Sequence, residues 1–210
     1  SKTEKENIVV TIPPVRNIFK EKEIYPLSGI TNSKTIFCNE LGFYVDYFSD
    51  KYGFNNLNKD YDRDIDFLLI GDSFTHGSCV KNEDNFKGNL IRLFNYRKNV
   101  LNLGYQGTGP LHQFGILKEY LEVINPKNVI QFYFEGNDLQ EISEEMFQPQ
   151  LKKYLLNKKY TQNLINNVKF TDQNLKLLLK KRYLEKNLDQ QKIDKKNVFF
   201  KNLISILKLH

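Results

Sequence analysis

Three apolar runs, each ending in a glycine-containing turn, limit most strongly how this chain can fold. They read IDFLLI at residues 65–70, NVLNLG at 99–104 and NVIQFYF at 128–134. Two amphipathic stretches with apolar residues three and four apart lie between them, a spacing typical of helices. The succession strand, helix, strand, helix, strand predicts a parallel sheet joined by right-handed crossovers.

The two helical stretches carry recognisable start and stop signals. In the first, Phe86, Leu90 and Phe94 form an apolar stripe, and Asp84 is positioned to cap its amino end. The second is expected to begin at Pro110, because proline is well tolerated in the first helical turn, and to end before Asn125 and the proline that follows it.

Composition excludes several classes of protein. The chain has 210 residues, enough for one domain or for one domain with an appendage. It contains no apolar run close to the ~18 residues that cross a bilayer. Cys38 and Cys79 are too few and too far apart to suggest a zinc site or a disulfide framework. We expect both thiols to be free and partly buried, with a single bridge left open for an exported protein.

A change in composition after Gly136 divides the chain into three segments. All eleven glycines lie at or before this residue. We expect a β-rich segment at 1–64 packed on the main domain, an α/β core at 65–138 and a basic helical tail at 139–210. Within the first segment, alternating apolar residues around Asn39–Gly42 predict a hairpin or meander, or alternatively a flap over a substrate.

The net charge of +6 is concentrated in the tail. Residues 1–138 hold 16 basic and 18 acidic side chains, whereas residues 139–210 hold 15 and 7. Basic amphipathic helices of this kind either pack on the domain with a solvated face or contact an anionic membrane surface or polysaccharide. The first residues lack an initiator methionine and a signal pattern, which indicates a processed or cut terminus and leaves envelope and cytoplasm open as locations.

The turns after the three runs are expected to meet in space, because parallel strands send their carboxyl ends to one edge of the sheet. These turns carry Gly71–Ser73, Gly104 in NLGYQGTGP, and Gly136–Asp138 in FEGND. A hydroxyl, an unhindered backbone amide and a side-chain amide are thereby predicted at the same edge.

Taken together, the three turns resemble the motifs of the SGNH hydrolase superfamily, also called GDSL-type lipases and esterases. Ser73 in GDSFTHG matches the family's serine, Gly104 in NLGYQG its glycine and Asn137 in EGND its asparagine. The resemblance covers residues 65–139. It implies a three-layer α/β/α fold with a parallel, flavodoxin-like sheet, of which three strands are recognisable in this chain.

The resemblance also implies a reaction. Ser73 is expected to attack the carbonyl of a carboxylic ester, and the charge on the carbonyl oxygen would be bound by the Ser73 N–H, the Gly104 N–H and the Asn137 side chain. We assign Asp72 to the structure of the turn and not to catalysis, since its side chain suits local hydrogen bonds.

The family's catalytic histidine, which belongs to a late D-x-x-H block, has no counterpart in this sequence. Only His76, His112 and His210 are present. We take His76, three residues after Ser73 and expected at the mouth of the site, as a candidate base. His112 and Asp138 are candidate substrate-binding residues. Either the chain ends before the histidine block, or the protein is a naturally inactive binding protein.

Three functions follow from these features. The first is a hydrolase acting on an acyl lipid, an acetylated sugar or a small ester. The second is an O-acyltransferase or deacetylase of envelope polysaccharide, and the third is a non-catalytic carbohydrate- or lipid-binding domain. Nucleic acid is not an expected partner, because the basic residues lie in leucine-rich helices without a recognition motif. No metal-ligand cluster or dinucleotide fingerprint suggests a cofactor, and the oligomeric state is not predicted.

Overall fold

The structure, a computed structural model, describes residues 8–14, 19–20, 23–38, 40 and 42–185. It is a mixed α/β protein with two small sheets, one of them all-parallel. The chain divides into two compact units between residues 172 and 173, and both sheets belong to the first. His210 and the tail segments after residue 185 lie outside the described residues.

The first sheet combines three short strands from the amino-terminal segment. They are β1 (Ile8–Val10), β2 (Lys34–Cys38) and β3 (Val45–Phe48). β1 runs parallel to β2, and β2 runs antiparallel to β3. The predicted hairpin is therefore confirmed, whereas β1 has no counterpart among the strands predicted from the sequence.

The second sheet contains the three predicted apolar runs, now β4 (Phe67–Ile70), β5 (Val100–Asn102) and β6 (Asn128–Gln131). Their order is β5-β4-β6, and both pairings are parallel, as predicted. β4 and β5 each have three residues fully excluded from solvent, while β6 has mostly exposed side chains.

The described part of the chain contains six α-helices: α1 (Ser73–His76), α2 (Phe86–Leu93), α3 (Pro110–Ile124), α4 (Asp138–Glu145), α5 (Pro149–Leu156) and α6 (168–185). The start and end predicted for α3 are confirmed. The cap predicted for α2 is wrong by one residue, because Asn85 Oδ1 accepts the Gly88 N–H at 2.9 Å. None of these helices has the length and apolar character needed to cross a bilayer.

One hydrophobic core joins all three predicted segments of the chain. It combines Tyr25, Leu27 and Phe54 from the first segment, Leu68 and Leu101 from the parallel strands, and Leu151, Tyr154 and Leu164 from the expected tail. α4 and α5 both pack on α3. The predicted boundary between 138 and 139 therefore falls inside the first unit, which continues to residue 172.

Cys38 and Cys79 are joined by a disulfide bond. The expectation that both thiols are free is wrong, and the single bridge left open by the sequence is the state present. The two cysteines are separated by 41 positions along the chain. Because Cys38 ends β2 and Cys79 follows α1, the bridge ties the first sheet to the segment that carries Ser73.

Candidate functional site

The turns after β4 and β5 pack directly against α1. A Cβ added at Gly104 would lie 2.6 Å from Thr75 Cγ2 and 2.8 Å from the His76 nitrogen. A Cβ at Gly71 would lie 2.1 Å from Thr75 Oγ1 and 3.1 Å from the Phe132 carbonyl oxygen, just after β6. Only glycine, which lacks a Cβ, leaves room for the neighbouring atoms at these two positions. The close packing brings the carboxyl ends of all three parallel strands close to α1.

Ser73 is the first residue of α1, immediately after the central strand. Asp72 caps the helix, since its Oδ1 accepts the Phe74 N–H at 2.9 Å, and this confirms the structural role predicted for Asp72. Gly77 ends the helix in a left-handed conformation with φ of 89°. The Ser73 side chain is half-buried, and neither its hydroxyl nor its N–H is hydrogen-bonded to a described residue. Both groups are therefore without a protein partner in that part of the chain.

Asn102 is a residue of this site that the sequence analysis missed. It is fully buried in β5, and its Nδ2 donates to the Thr75 carbonyl at 2.5 Å while its Oδ1 accepts the Gly104 N–H at 2.8 Å. Its backbone N–H and carbonyl are both bonded to the side chain of Asn56. The available signal was an asparagine inside the otherwise apolar run NVLNLG.

The hydrogen bond to Asn102 occupies the Gly104 N–H. The N–H predicted to bind an oxyanion already has an acceptor, and the residue is buried. Gly104 thus has a packing role against α1, and oxyanion binding by its N–H would require the bond to Asn102 to be shared or broken. That part of the expected oxyanion hole stays a prediction.

Asn137 lies at the start of α4, in a turn beside α1. The rings of Phe134 and Phe74 meet edge to face with centroids 5.0 Å apart. The Asn137 side chain does not cap α4, and its Nδ2 lies 3.5 Å from Glu141 Oε1. These contacts bring the Ser73 and Asn137 turns together, as predicted from the shared carboxyl edge of parallel strands.

Asp138 is fully buried, so the structure does not support its predicted position as an accessible substrate-binding residue. Its Oδ2 accepts the Phe134 N–H at 2.8 Å and thereby fixes the turn before α4. Burial raises the pKa of the Asp138 carboxyl, and the carboxylate of Asp72 raises it further.

Four buried oxygen atoms at this edge of the sheet have no hydrogen-bond partner among the described residues. They are Asp72 Oδ2, Thr75 Oγ1, Asn137 Oδ1 and Asp138 Oδ1. Unpaired buried polar atoms are uncommon in native proteins, and they are often explained by a bound water or by a functional role. This edge of the sheet is therefore polar, and the described residues fulfil only part of its hydrogen-bonding capacity.

His76 is not at the mouth of the site, and the prediction that placed it there is wrong. The ring is fully buried between Phe37 and Tyr105, with centroids 4.2 and 5.0 Å away. Its Nδ1 accepts the Gln106 N–H at 3.2 Å, so Nε2 carries the proton and donates to Tyr47 Oη at 3.0 Å. Burial lowers the pKa of His76 to about 3. With both nitrogens engaged, the ring cannot take a proton from Ser73.

His112 is likewise a core residue and not the surface or substrate-binding residue that was predicted. The ring is buried, its Nε2 is bonded to the Leu27 carbonyl at 3.1 Å, and it meets the Tyr25 ring edge to face. His76 and His112 are the two histidines within the described ranges. Neither is placed to act as the base.

Glu145 is a second residue that the sequence analysis missed. It is fully buried, and its carboxylate accepts the N–H groups of Gly109, Leu111 and His112 at 2.7–3.2 Å. N–H groups at the amino end of a helix have no carbonyl acceptor within the helix, and a negative charge is favoured there. Glu145 thus joins α4 to the loop that follows β5.

The described residues contain no group of three or more histidine, cysteine or acidic side chains placed to hold a metal ion. What they bring together is one accessible hydroxyl, the turns after three parallel strands and a cluster of buried oxygens. Comparison with known proteins adds no relative, because no protein-family model, curated protein or solved structure matches the chain.

Proposed function

We propose that this chain carries the nucleophile and part of the oxyanion-binding site of an SGNH-type serine hydrolase acting on carboxylic esters. One observation carries the proposal. Ser73 begins the helix after the central parallel strand, and its hydroxyl and N–H are unengaged among the described residues. The matching motifs around Ser73, Gly104 and Asn137 give the reaction class.

The strand order supports this placement of the site. In doubly wound sheets the first strand lies in the middle, and later strands are added first on one side of it and then on the other. Ligands bind at the carboxyl edge of the sheet, at the point where the side changes. In the order β5-β4-β6 this point lies between β4 and β6. Ser73 follows one of these strands and Asn137 the other. We therefore propose a three-layer, flavodoxin-like α/β/α arrangement for the core.

The reaction proceeds by transfer of an acyl group to Ser73. Its Oγ attacks the ester carbonyl carbon, and the carbonyl oxygen becomes negatively charged while it accepts hydrogen bonds from the Ser73 N–H and Asn137 Nδ2. The tetrahedral intermediate then expels the alcohol and leaves an acyl-serine, which water hydrolyses to the acid and free serine. A base must take the Ser73 proton and return it to the departing alcohol, and it must then take a proton from the attacking water and return it to Ser73.

No described histidine supplies that base, since both lie in the core with their own contacts. We therefore expect acylation of Ser73 in this chain to be slow and turnover to be weak or absent. A diffusible base such as imidazole should accelerate acylation, because it can accept the Ser73 proton from solution.

A fluorophosphonate probe tests the proposal, because it forms a stable bond with a nucleophilic serine. We expect slow labelling of the wild type, faster labelling with imidazole, and none of Ser73→Ala. Ser78→Ala is the matched control, since Ser78 is also half-buried and lies just after α1. It should label like the wild type. Equal labelling of the wild type and Ser73→Ala would refute the assignment.

A further inference from the structure

A cavity that does not include Ser73 opens between the segment before β4 and α2. Its volume is about 460 Å³, within the range of roughly 300–1,000 Å³ usual for small-molecule sites. Side chains that matter to its chemistry are Phe48, Asn55, Asp60, Lys87, Arg92 and Tyr96. The proposed esterase function makes no use of these residues.

The floor of this cavity is polar and held in place by hydrogen bonds. The Lys87 side chain is only 13% exposed, and its Nζ donates to Asp60 Oδ2 at 2.6 Å and to Asn56 Oδ1 at 2.9 Å. Beside it, Asn55 Nδ2 donates to Asn82 Oδ1 at 2.8 Å. A largely buried lysine is costly unless it is paired. These bonds fix donors and acceptors in one arrangement before any ligand arrives.

The rim of the cavity presents apolar rings to solvent. Tyr96 is 75% exposed and Phe48 is 58% exposed. Asn95 and Tyr96 both have positive φ, at 49° and 59°. Asparagine adopts this conformation readily, whereas it costs a tyrosine about 1–2 kcal/mol, and such strain tends to occur at functional sites. The backbone thus holds the Tyr96 ring at the rim at some cost in stability.

The charges around the cavity balance. Lys87 and Arg92 line it together with Asp60 and Glu83, so two positive groups meet two negative ones. This balance disfavours phosphates and other polyanions. Amide and carboxylate groups complement hydroxyl groups, which both donate and accept hydrogen bonds. Exposed flat rings suit the apolar face of a sugar ring.

We propose that this cavity binds a neutral saccharide, with Tyr96 as the stacking surface and the Lys87–Asp60 floor as the polar contact. The proposal is independent of the reaction at Ser73, because binding requires neither the nucleophile nor a base.

The test is titration of the full chain with cellotetraose, xylotetraose and tetra-N-acetylchitotetraose, followed by saturation-transfer NMR and calorimetry. At least one of these neutral oligosaccharides should bind the wild type. Tyr96→Gly removes the ring and also relieves the positive φ, so the variant should fold. It should bind at least about tenfold more weakly, as expected for loss of an aromatic contact worth ~1.4 kcal/mol.

Three further variants sharpen this result. Tyr96→Phe keeps the ring and should keep most of the affinity. Tyr183→Ala removes a similarly exposed tyrosine that does not line the cavity, and Ser73→Ala removes the proposed nucleophile; both should bind like the wild type. The proposal is overturned by absence of binding to all three oligosaccharides, by unchanged affinity of Tyr96→Gly, or by tighter binding of adenosine or tetragalacturonate.

Discussion

Asn102 links the turns of the candidate site through a single buried side chain. It bonds the Thr75 carbonyl in α1 and the Gly104 N–H after β5, and Asn56 pairs with its backbone. A polar residue is tolerated in this apolar strand because the hydrogen bonds of its side-chain nitrogen and oxygen compensate for burial. The alignment of α1, and hence of Ser73, depends on these bonds.

Asn102→Ala should therefore be strongly destabilising. The change leaves the Thr75 carbonyl and the Gly104 N–H buried without partners, at a cost of about 2–4 kcal/mol in the free energy of unfolding. Urea unfolding measures this directly. Asn128→Ala is the control, because Asn128 is exposed on β6 and its side chain makes one bond, to the Asp66 carbonyl. Equal losses for the two variants would contradict the role of Asn102.

His76 should make the protein sensitive to acid. Its pKa is about 3 in the folded state and 6.5 when unperturbed, so between these values the unfolded chain binds a proton that the folded chain does not. Stability is then lost as the pH falls below about 6.5, by ~1.4 kcal/mol per pH unit, or roughly 2.5 kcal/mol by pH 4.5.

The comparison that isolates this effect is His76→Gln against the wild type in urea unfolding at pH 7 and pH 4.5. The variant should be less stable at pH 7, because it loses the hydrogen bonds of the His76 ring to Tyr47 and Gln106. It should, however, lose less stability on acidification. The same loss in both proteins would show that His76 is protonated in the folded state.

At the scale of elements, the amino end of α2 has two adjacent residues that could cap the helix. Asp84 and Asn85 are both good capping residues, and the sequence pattern favoured Asp84. In the structure Asn85 accepts the Gly88 N–H, while Asp84 makes an exposed ion pair with Arg92 at 3.7 Å.

We expect Asn85→Ala to lower the free energy of unfolding by about 1 kcal/mol, as for other lost caps. Asp84→Ala should cost less than about 0.5 kcal/mol, because exposed ion pairs contribute little. Thermal unfolding of the two variants under the same conditions distinguishes them. A larger loss of stability in Asp84→Ala than in Asn85→Ala would identify Asp84 as the cap.

The parallel strands and α3 were predictable because each has a local pattern with its own start and stop residues. The turns bearing Ser73 and Asn137 were predictable as neighbours because parallel strands share a carboxyl edge. The positions of His76 and His112 were not, since burial of a histidine depends on rings and carbonyls distant in sequence. Asn102 and Glu145 were missed for the same reason: their partners become neighbours only when the chain is folded.

At the scale of the whole molecule, the Cys38–Cys79 bond joins the first sheet to the segment after α1. The 41-position separation gives a sizeable loop, and closing such a loop in the unfolded chain stabilises the folded state by about 4 kcal/mol in the chain-entropy model. Cys38→Ser combined with Cys79→Ser should lower the free energy of unfolding by about 2–4 kcal/mol, the usual range for lost disulfides.

Urea unfolding of the oxidised and reduced wild type measures the same difference without a substitution. Reduction should reproduce the loss seen in the double variant, and it should leave the double variant unchanged. If reduction had no effect on the wild type, the bond would not contribute to stability.

The central claim is that Ser73 is acylated at a site whose oxyanion is bound in part by Asn137. The most direct measurement is mass spectrometric peptide mapping after reaction with p-nitrophenyl acetate and imidazole, with the acetylation rate followed in the wild type and Asn137→Ala. We predict one acetyl group, on Ser73, and a rate about 10²-fold lower in the variant, as for loss of an oxyanion donor. Acetylation spread over other residues, or an equal rate in the two proteins, would contradict the claim.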